Sequence, residues 1–189
     1  MDNRSKLLQT ALRQFSTHGY DAVGVQQIVD EAEVTKPTLY HYFQSKRGLF
    51  EALVGEKSAG LLADLRAVSS YQGDIVRSIT QITQFYFDYY RREPAFYRLL
   101  LLTWFMPPSS EVYAVVADLQ RQQFDLIARL FLDASADHGN MRGRHQQYAV
   151  SLRGTIDTYV GLRLQGYFQL DDEGSLQRIV HQFMHGIFS

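Results

Sequence analysis

Apolar residues recur at helical spacing along most of this chain. Leu8, Ala11, Leu12 and Phe15 make an opening amphipathic helix, and His18-Gly19 supplies a glycine stop. Val25, Ile28, Val29 and Ala32 fall at i, i+3, i+4 and i+7, which leaves Gln26, Gln27, Asp30 and Glu31 on the polar side. Thr35 stands where its hydroxyl can cap a second short helix, and Pro37 lies in that helix's first turn, where its missing donor costs little. Leu39 and Phe43, four apart, face inward there, while Lys36, Thr38, Tyr40 and His41 stay outside. Ser45 caps a third helix that starts near Lys46, continues through Leu53, Leu61, Leu62 and Leu65, and breaks over residues 69–73.

Further on, the pattern predicts long helices with clear punctuation. Residues 74–92 start at Asp74 and end before Pro94, with Phe85, Tyr86, Phe87, Tyr89 and Tyr90 pointing all round the axis, the mark of a buried helix. Residues 95–106 are similarly apolar and stop at Pro107-Pro108. Ser109 or Ser110 opens a helix to about Ala136, and residues 138–143 form a loop. A helix over 144–170 places Ala149, Leu152, Ile156, Tyr159 or Val160, Leu164 and Tyr167 on one face, and a last helix carries Leu176, Ile179, Val180, Phe183 and Ile187. Gly154 and Gly161, seven apart, each weaken a helix interior by up to about 1 kcal/mol, so a close helix–helix approach is the expected compensation. No strand pattern or internal repeat is present, and the predicted fold class is all-α.

The polar groups left outside at 36–41 suit a DNA major groove. Lysine donates to guanine or phosphate, threonine hydrogen-bonds or touches a thymine methyl, and tyrosine reaches phosphate or a base edge. The plain alternative is a three-helix core with a solvated Tyr/His surface. Residues 4–55 resemble the DNA-binding domain of the tetracycline-repressor (TetR) family of bacterial regulators, through LLQTALRQFSTHGYDAV (7–23) and IVDEAEVTKPTLYHYFQSKRGLFEAL (28–53), with TKPTLYHYFQSK the most specific part. The resemblance implies an all-α subunit with a helix-turn-helix domain over 1–50 and a helical ligand-sensing and dimerisation domain over 51–189. It implies a homodimer on a double-stranded DNA operator, with one recognition helix per subunit in the groove.

By position, Lys36, Pro37, Thr38 and Tyr40 match the family's base-contacting sites. Thr35, His41 and Lys46 match backbone-contacting ones, and Gln26 matches a contact from the preceding helix. Two departures from the pattern occur, over three positions. Val23 and Gly24 stand where Thr or Ser is usual, and Glu33 stands where Gly is usual, with a left-handed penalty if that turn geometry is kept. The last two helices resemble the family's dimerisation pair, which assigns Gly154, Gly161, Leu164, Ile179, Phe183 and Ile187 to a two-fold interface; internal packing is the alternative.

Net charge over the 189 residues is −1, and the first fifty residues carry six Lys/Arg against five Asp/Glu, only +1. Local placement must therefore do what bulk charge does not. Arg4, Lys6, Lys46 and Arg47 are the expected phosphate contacts, each worth about 0.9 in the slope of log K against log salt. The absence of cysteine excludes disulfides, thiolate metal sites and Cys nucleophiles, and fits a cytoplasmic protein. No signal core opens the chain, and its longest apolar run is far below the ~20 residues that span a bilayer, so no membrane partner is expected.

An aromatic surplus, Phe85, Tyr86, Tyr89, Tyr97, Trp104, Phe105, Tyr113 and Tyr159, pairs apolar bulk with hydrogen-bonding ends and suits a small, partly apolar effector, or else simply fills a helical core. His181 and His185 have metal spacing without a catalytic glutamate between them, and no serine elbow, phosphate loop or dinucleotide glycine pattern appears. The sequence therefore predicts a ligand-responsive regulator, most simply a repressor, and neither an enzyme nor a cofactor protein. The rival reading is an all-α dimeric binding protein with weakened DNA contact.

Overall fold

The computed structural model describes residues 2–169 and 173–186. Among them every long element is helical, as expected: α1 (Asn3–His18), α2 (Val25–Glu31), α3 (Lys36–Phe43), α4 (Lys46–Val68), α5 (Ile75–Arg92), α6 (Pro94–Thr103), α7 (Tyr113–Ala134), α8 (His145–Leu164) and α9 (Glu173–His185), with a single 3₁₀ turn at Gly139–Met141. The chain forms two compact units. One comprises Met1–Gly60 and Ala95–Gln120, the other Leu61–Pro94 and Arg121–Ser189. This division by compactness runs through α4 and α7, and so differs from the motif-based 1–50 and 51–189.

In the first unit α1 packs on α2 and α3, which also pack on each other. Leu7, Ala11, Phe15, Ile28, Leu39, Leu49 and Phe50 are wholly enclosed. The caps foreseen at Thr35 and Ser45 are present. The Thr35 hydroxyl accepts from the Thr38 N–H at 3.4 Å, and the Ser45 hydroxyl from the Gly48 N–H at 2.9 Å. Gly24 has no side chain to cap α2; instead its own N–H donates to the Gln27 side-chain oxygen at 2.7 Å. Glu33 adopts φ 54°, so the left-handed turn is kept, and the Val34 N–H reaches back to the Val29 carbonyl at 3.0 Å to close α2.

In the second unit α5 packs against α8 and α9. Phe85, Tyr86, Phe87 and Tyr89 are buried and Tyr90 is half-buried, as the all-round apolar pattern predicts. The Asp74 carboxylate caps α5 by accepting from the Arg77 N–H at 2.9 Å. A polar cluster crosses this core. Arg153, 4% exposed, donates to Asp157 and Gln123 at 2.8 Å each, and its guanidinium lies 4.2 Å from the centre of the Tyr86 ring.

Three helix ends differ from expectation. α6 stops at Thr103 rather than at 106, because Trp104 and Met106 bond to carbonyls three residues back and tighten the chain ahead of the prolines. α7 starts at Tyr113, since Ser110 folds into a turn and its hydroxyl, without a hydrogen bond among the described residues, caps nothing. α8 ends at Leu164 rather than near 170, where Gly166 turns left-handed (φ 79°) and the Tyr167 N–H bonds to the Leu162 carbonyl at 2.9 Å.

The kept turn at Glu33 carries a measurable strain. A non-glycine residue there costs about 1–2 kcal/mol, against about 0.5–1 for glycine's extra chain entropy. Glu33→Gly is thus expected to raise the unfolding free energy by about 0.5–1 kcal/mol in a denaturant titration. A less stable variant would contradict the strain.

Candidate nucleic-acid interface

α3 has eight residues, and only Leu39 and Phe43 are buried. Lys36, Pro37, Tyr40 and His41 are exposed and fall in two i, i+4 pairs, so they share one outward face. Tyr40 is 46% exposed, and Lys36 makes no ion pair or hydrogen bond among the described residues. Thr38 is half-buried, its hydroxyl 2.9 Å from that of Thr35. On α2, Gln26 is exposed but its amide donates to Asp30 at 2.6 Å.

The expected phosphate cations divide. Lys46 is half-buried, and its ammonium donates to the Tyr20 and Val23 carbonyls at 3.1 Å each while lying 4.1 Å from the centre of the Tyr20 ring. In this structure its ammonium faces the turn between α1 and α2 rather than outward. Arg4 pairs with Glu56 and lies over the Phe43 ring, and Arg47 pairs with Glu51 at 2.7 Å. Exposed pairs of this kind are worth little and exchange partners readily. A half-buried ammonium holding two carbonyls at once is less free to do so.

Two residues here escaped the sequence reading. Tyr42 is 42% exposed, and its ring meets His41 edge-on at 5.2 Å. A Cβ on Gly48 would lie 2.0 Å from the Phe43 carbonyl oxygen, so the first turn of α4 has room only for glycine where α3 ends. The one sequence signal for Gly48 was a glycine in the first turn of an otherwise good helix.

The eight aromatic effector candidates are distributed over both compact units. Phe85, Tyr86, Tyr89 and Tyr159 lie in the second unit, whereas Tyr97, Trp104, Phe105 and Tyr113 lie in the first. Phe105 is 88% exposed and Trp104 is also on the surface, because both follow the end of α6. Tyr86 is fully enclosed, and burial pushes its hydroxyl up to about 12. The second unit holds an open hollow of about 700 Å³, floored by Ala67, Val68 and Phe85 and edged by the pairs Asp64–Arg92 and Asp88–Arg91.

Among the interface candidates, Ile179 is buried in the chain's own core and Phe183 stacks towards Phe131, with ring centres 6.4 Å apart. Inward packing has claimed Ile179, contrary to its outward assignment, while Phe183 is half-buried. Gly154 is exposed and a Cβ there would meet nothing within 4 Å, so it serves no close approach among the described residues. Gly161 and Leu164 are half-buried, and Ile187 lies outside the described residues. Val150, Gly154, Thr158 and Leu162 form the exposed stripe of α8.

The family model for bacterial regulatory proteins of the tetR family matches residues 7–53, which cover α1–α3 and the start of α4. The likeness to that family is carried by this N-terminal stretch. The HTH-type transcriptional activator FasR of Mycolicibacterium smegmatis is 28% identical over 131 residues, 68% of this chain and 60% of that protein. The chain spans less than two thirds of the length of the first curated relatives it matches. Its fold is that of the fatty acid degradation regulator FadR from Bacillus halodurans (TM-score 0.80, 16% identity, 100% of this chain and 97% of that one). It is likewise that of FadR from Bacillus subtilis in complex with stearoyl-CoA (0.78, 14%, 97% and 98%). Among the described residues no helix is long and apolar enough to cross a membrane, and no cluster of three or more His, Asp or Glu side chains could hold a metal.

Gly48 gives a sharp check on how α3 is seated. Gly48→Ala is expected to destabilise the protein by about 1–3 kcal/mol through overpacking against a backbone atom. Gly60→Ala, where a Cβ meets open space, is expected to stabilise it by up to about 1 kcal/mol. Equal melting temperatures for the two variants would refute this seating.

Proposed function

We propose that this chain is a DNA-binding transcriptional regulator that reads a palindromic operator as a homodimer and is released by a small, partly apolar effector. The observation that carries the reading is the outward face of α3, where Lys36, Pro37, Tyr40 and His41 stand free while Leu39 and Phe43 anchor the helix. Lys36 and Tyr40 offer donors to base edges, Pro37 and the Thr38 methyl offer apolar contact, and Thr35, His41 and Gln26 reach the sugar–phosphate backbone. Repression follows from a dimer that occupies its operator and hides the promoter.

Dimerisation through α8 and α9 fits the exposed, largely apolar stripe at Val150, Gly154 and Leu162, which no other described residue covers. Two copies related by a two-fold axis present two recognition helices, which suits half-sites about 34–36 Å apart or somewhat more. Residues 51–189 hold the effector in this reading. A long-chain acyl thioester is the first probe to try, because Bacillus subtilis FadR has been solved with stearoyl-CoA. The work of such a protein is cytoplasmic.

A second reading, a dimeric ligand-binding protein with weakened DNA contact, draws on Arg4, Lys46 and Arg47 being engaged within the first unit. Selection of bound duplexes from a random pool separates the two. The regulator reading expects an enriched palindrome, and no enrichment at low salt would sink it. On the selected duplex, Lys36→Ala is expected to weaken binding by about 1–3 kcal/mol, as loss of a base-edge contact does. Unchanged affinity would take Lys36 out of the interface.

A further inference from the structure

Tyr20 does more than fill the core between α1 and α2. It is 2% exposed, and its ring packs against Phe15 and Phe50 at 5.2 and 5.1 Å between centres. Phenylalanine would serve that packing equally well. The hydroxyl, however, donates to the carboxylate of Glu111 in the turn before α7, and burial together with that carboxylate pushes its pKa up, so it stays a donor. The other face of Tyr20 carries Lys46, through both the ring and the backbone carbonyl.

Lys46 in turn joins two places that DNA reading requires to be fixed. The Val23 carbonyl it holds immediately precedes Gly24, the cap of α2. Lys46 itself is the first residue of α4, three past the end of α3 at Phe43. One ammonium thus ties the start of α2 to the end of α3, and closes the helix-turn-helix on itself. All these residues, Glu111 included, lie in the first compact unit, while α7 runs on from Tyr113 to Ala134.

We propose that Tyr20 is a positioning residue for DNA reading, which sets the attitude of α3 through Lys46 and takes its own position from Glu111. The proposal rests on the DNA-binding reading above. In it the 95–120 segment has a mechanical handle on the recognition helix that touches no base and no phosphate. A shift of Glu111 would draw on the Tyr20 hydroxyl, and through it on the seat of Lys46.

The test uses the full-length chain and the duplex selected from the random pool, with a scrambled duplex alongside. Tyr20→Phe and Glu111→Ala are each expected to weaken binding to the selected duplex about tenfold, the scale of one hydrogen bond to a charged group, with scrambled-duplex affinity unchanged. The double variant should lose no more than either single one, because both remove the same link. A role confined to stability would lower the melting temperature and leave the ratio of selected to scrambled affinity intact. Glu111 is exposed, so its variant keeps the test open should Tyr20→Phe unfold. Lys46→Met should weaken binding without changing the salt dependence, whereas a slope smaller by about 0.9 would make Lys46 a phosphate ligand and overturn its positioning role. Wild-type affinity in both Tyr20→Phe and Glu111→Ala, or multiplied losses in the double variant, overturns the proposal alone. A wild-type chain that binds no duplex overturns the DNA-binding reading and the proposal with it.

Discussion

An eight-residue helix is too short to persist in water by itself, since isolated helices below about 12–15 residues are marginal, so everything α3 does depends on how it is held. Its own contribution is two side chains, Leu39 and Phe43, whose burial is worth about 1.5–3 kcal/mol each. The remainder comes from its ends. The Thr35 hydroxyl caps the start, the left-handed Gln44 closes the finish by donating its N–H to the Tyr40 carbonyl at 2.9 Å, and the α4 backbone at Gly48 meets the last carbonyl. Lys46 then fastens that finish to the turn before α2. A helix anchored at so few points can present nearly all its remaining surface.

The same economy governs the charges. A head of only +1 cannot attract DNA by bulk field, and four of its cations are engaged, by Glu56, Glu31, Glu51 and two carbonyls. Of these only the Lys46 contact is partly buried, and only there would withdrawal take a donor from the carbonyl of the buried Val23. Arg4 and Arg47 sit in exposed pairs and can exchange a carboxylate for a phosphate at little cost. Electrostatics in the first unit thus separates a cation that shapes the fold from cations that remain available.

The second unit shows a different use of charge. Arg153, enclosed among Tyr86, Gln123 and Asp157, brings a guanidinium into a helical core where an aliphatic residue would pack without desolvation cost. The cluster joins side chains from α5, α7 and α8, and its hydrogen bonds have directions that hydrophobic contacts lack. The aromatic surplus of this chain is accordingly a mixture. Tyr86 and Tyr97 are core, whereas Trp104 and Phe105 are surface, and spacing along the chain carried no sign of the difference.

By itself the sequence determined the helical class, the three-helix head and its caps, the outward set on α3, and the strained turn at Glu33. These follow from period, capping chemistry and proline or glycine position, all of which act within a few residues along the chain. Only the tertiary structure decided that Lys46 turns inward, that Tyr20 meets Glu111 ninety-one positions away, that Ile179 faces its own core, and that Gly48 admits no side chain. Each of these depends on which groups distant in sequence arrive at the same place. A long flexible side chain such as lysine is equally compatible with water, a phosphate or a carbonyl until the surrounding backbone fixes the nearest acceptor.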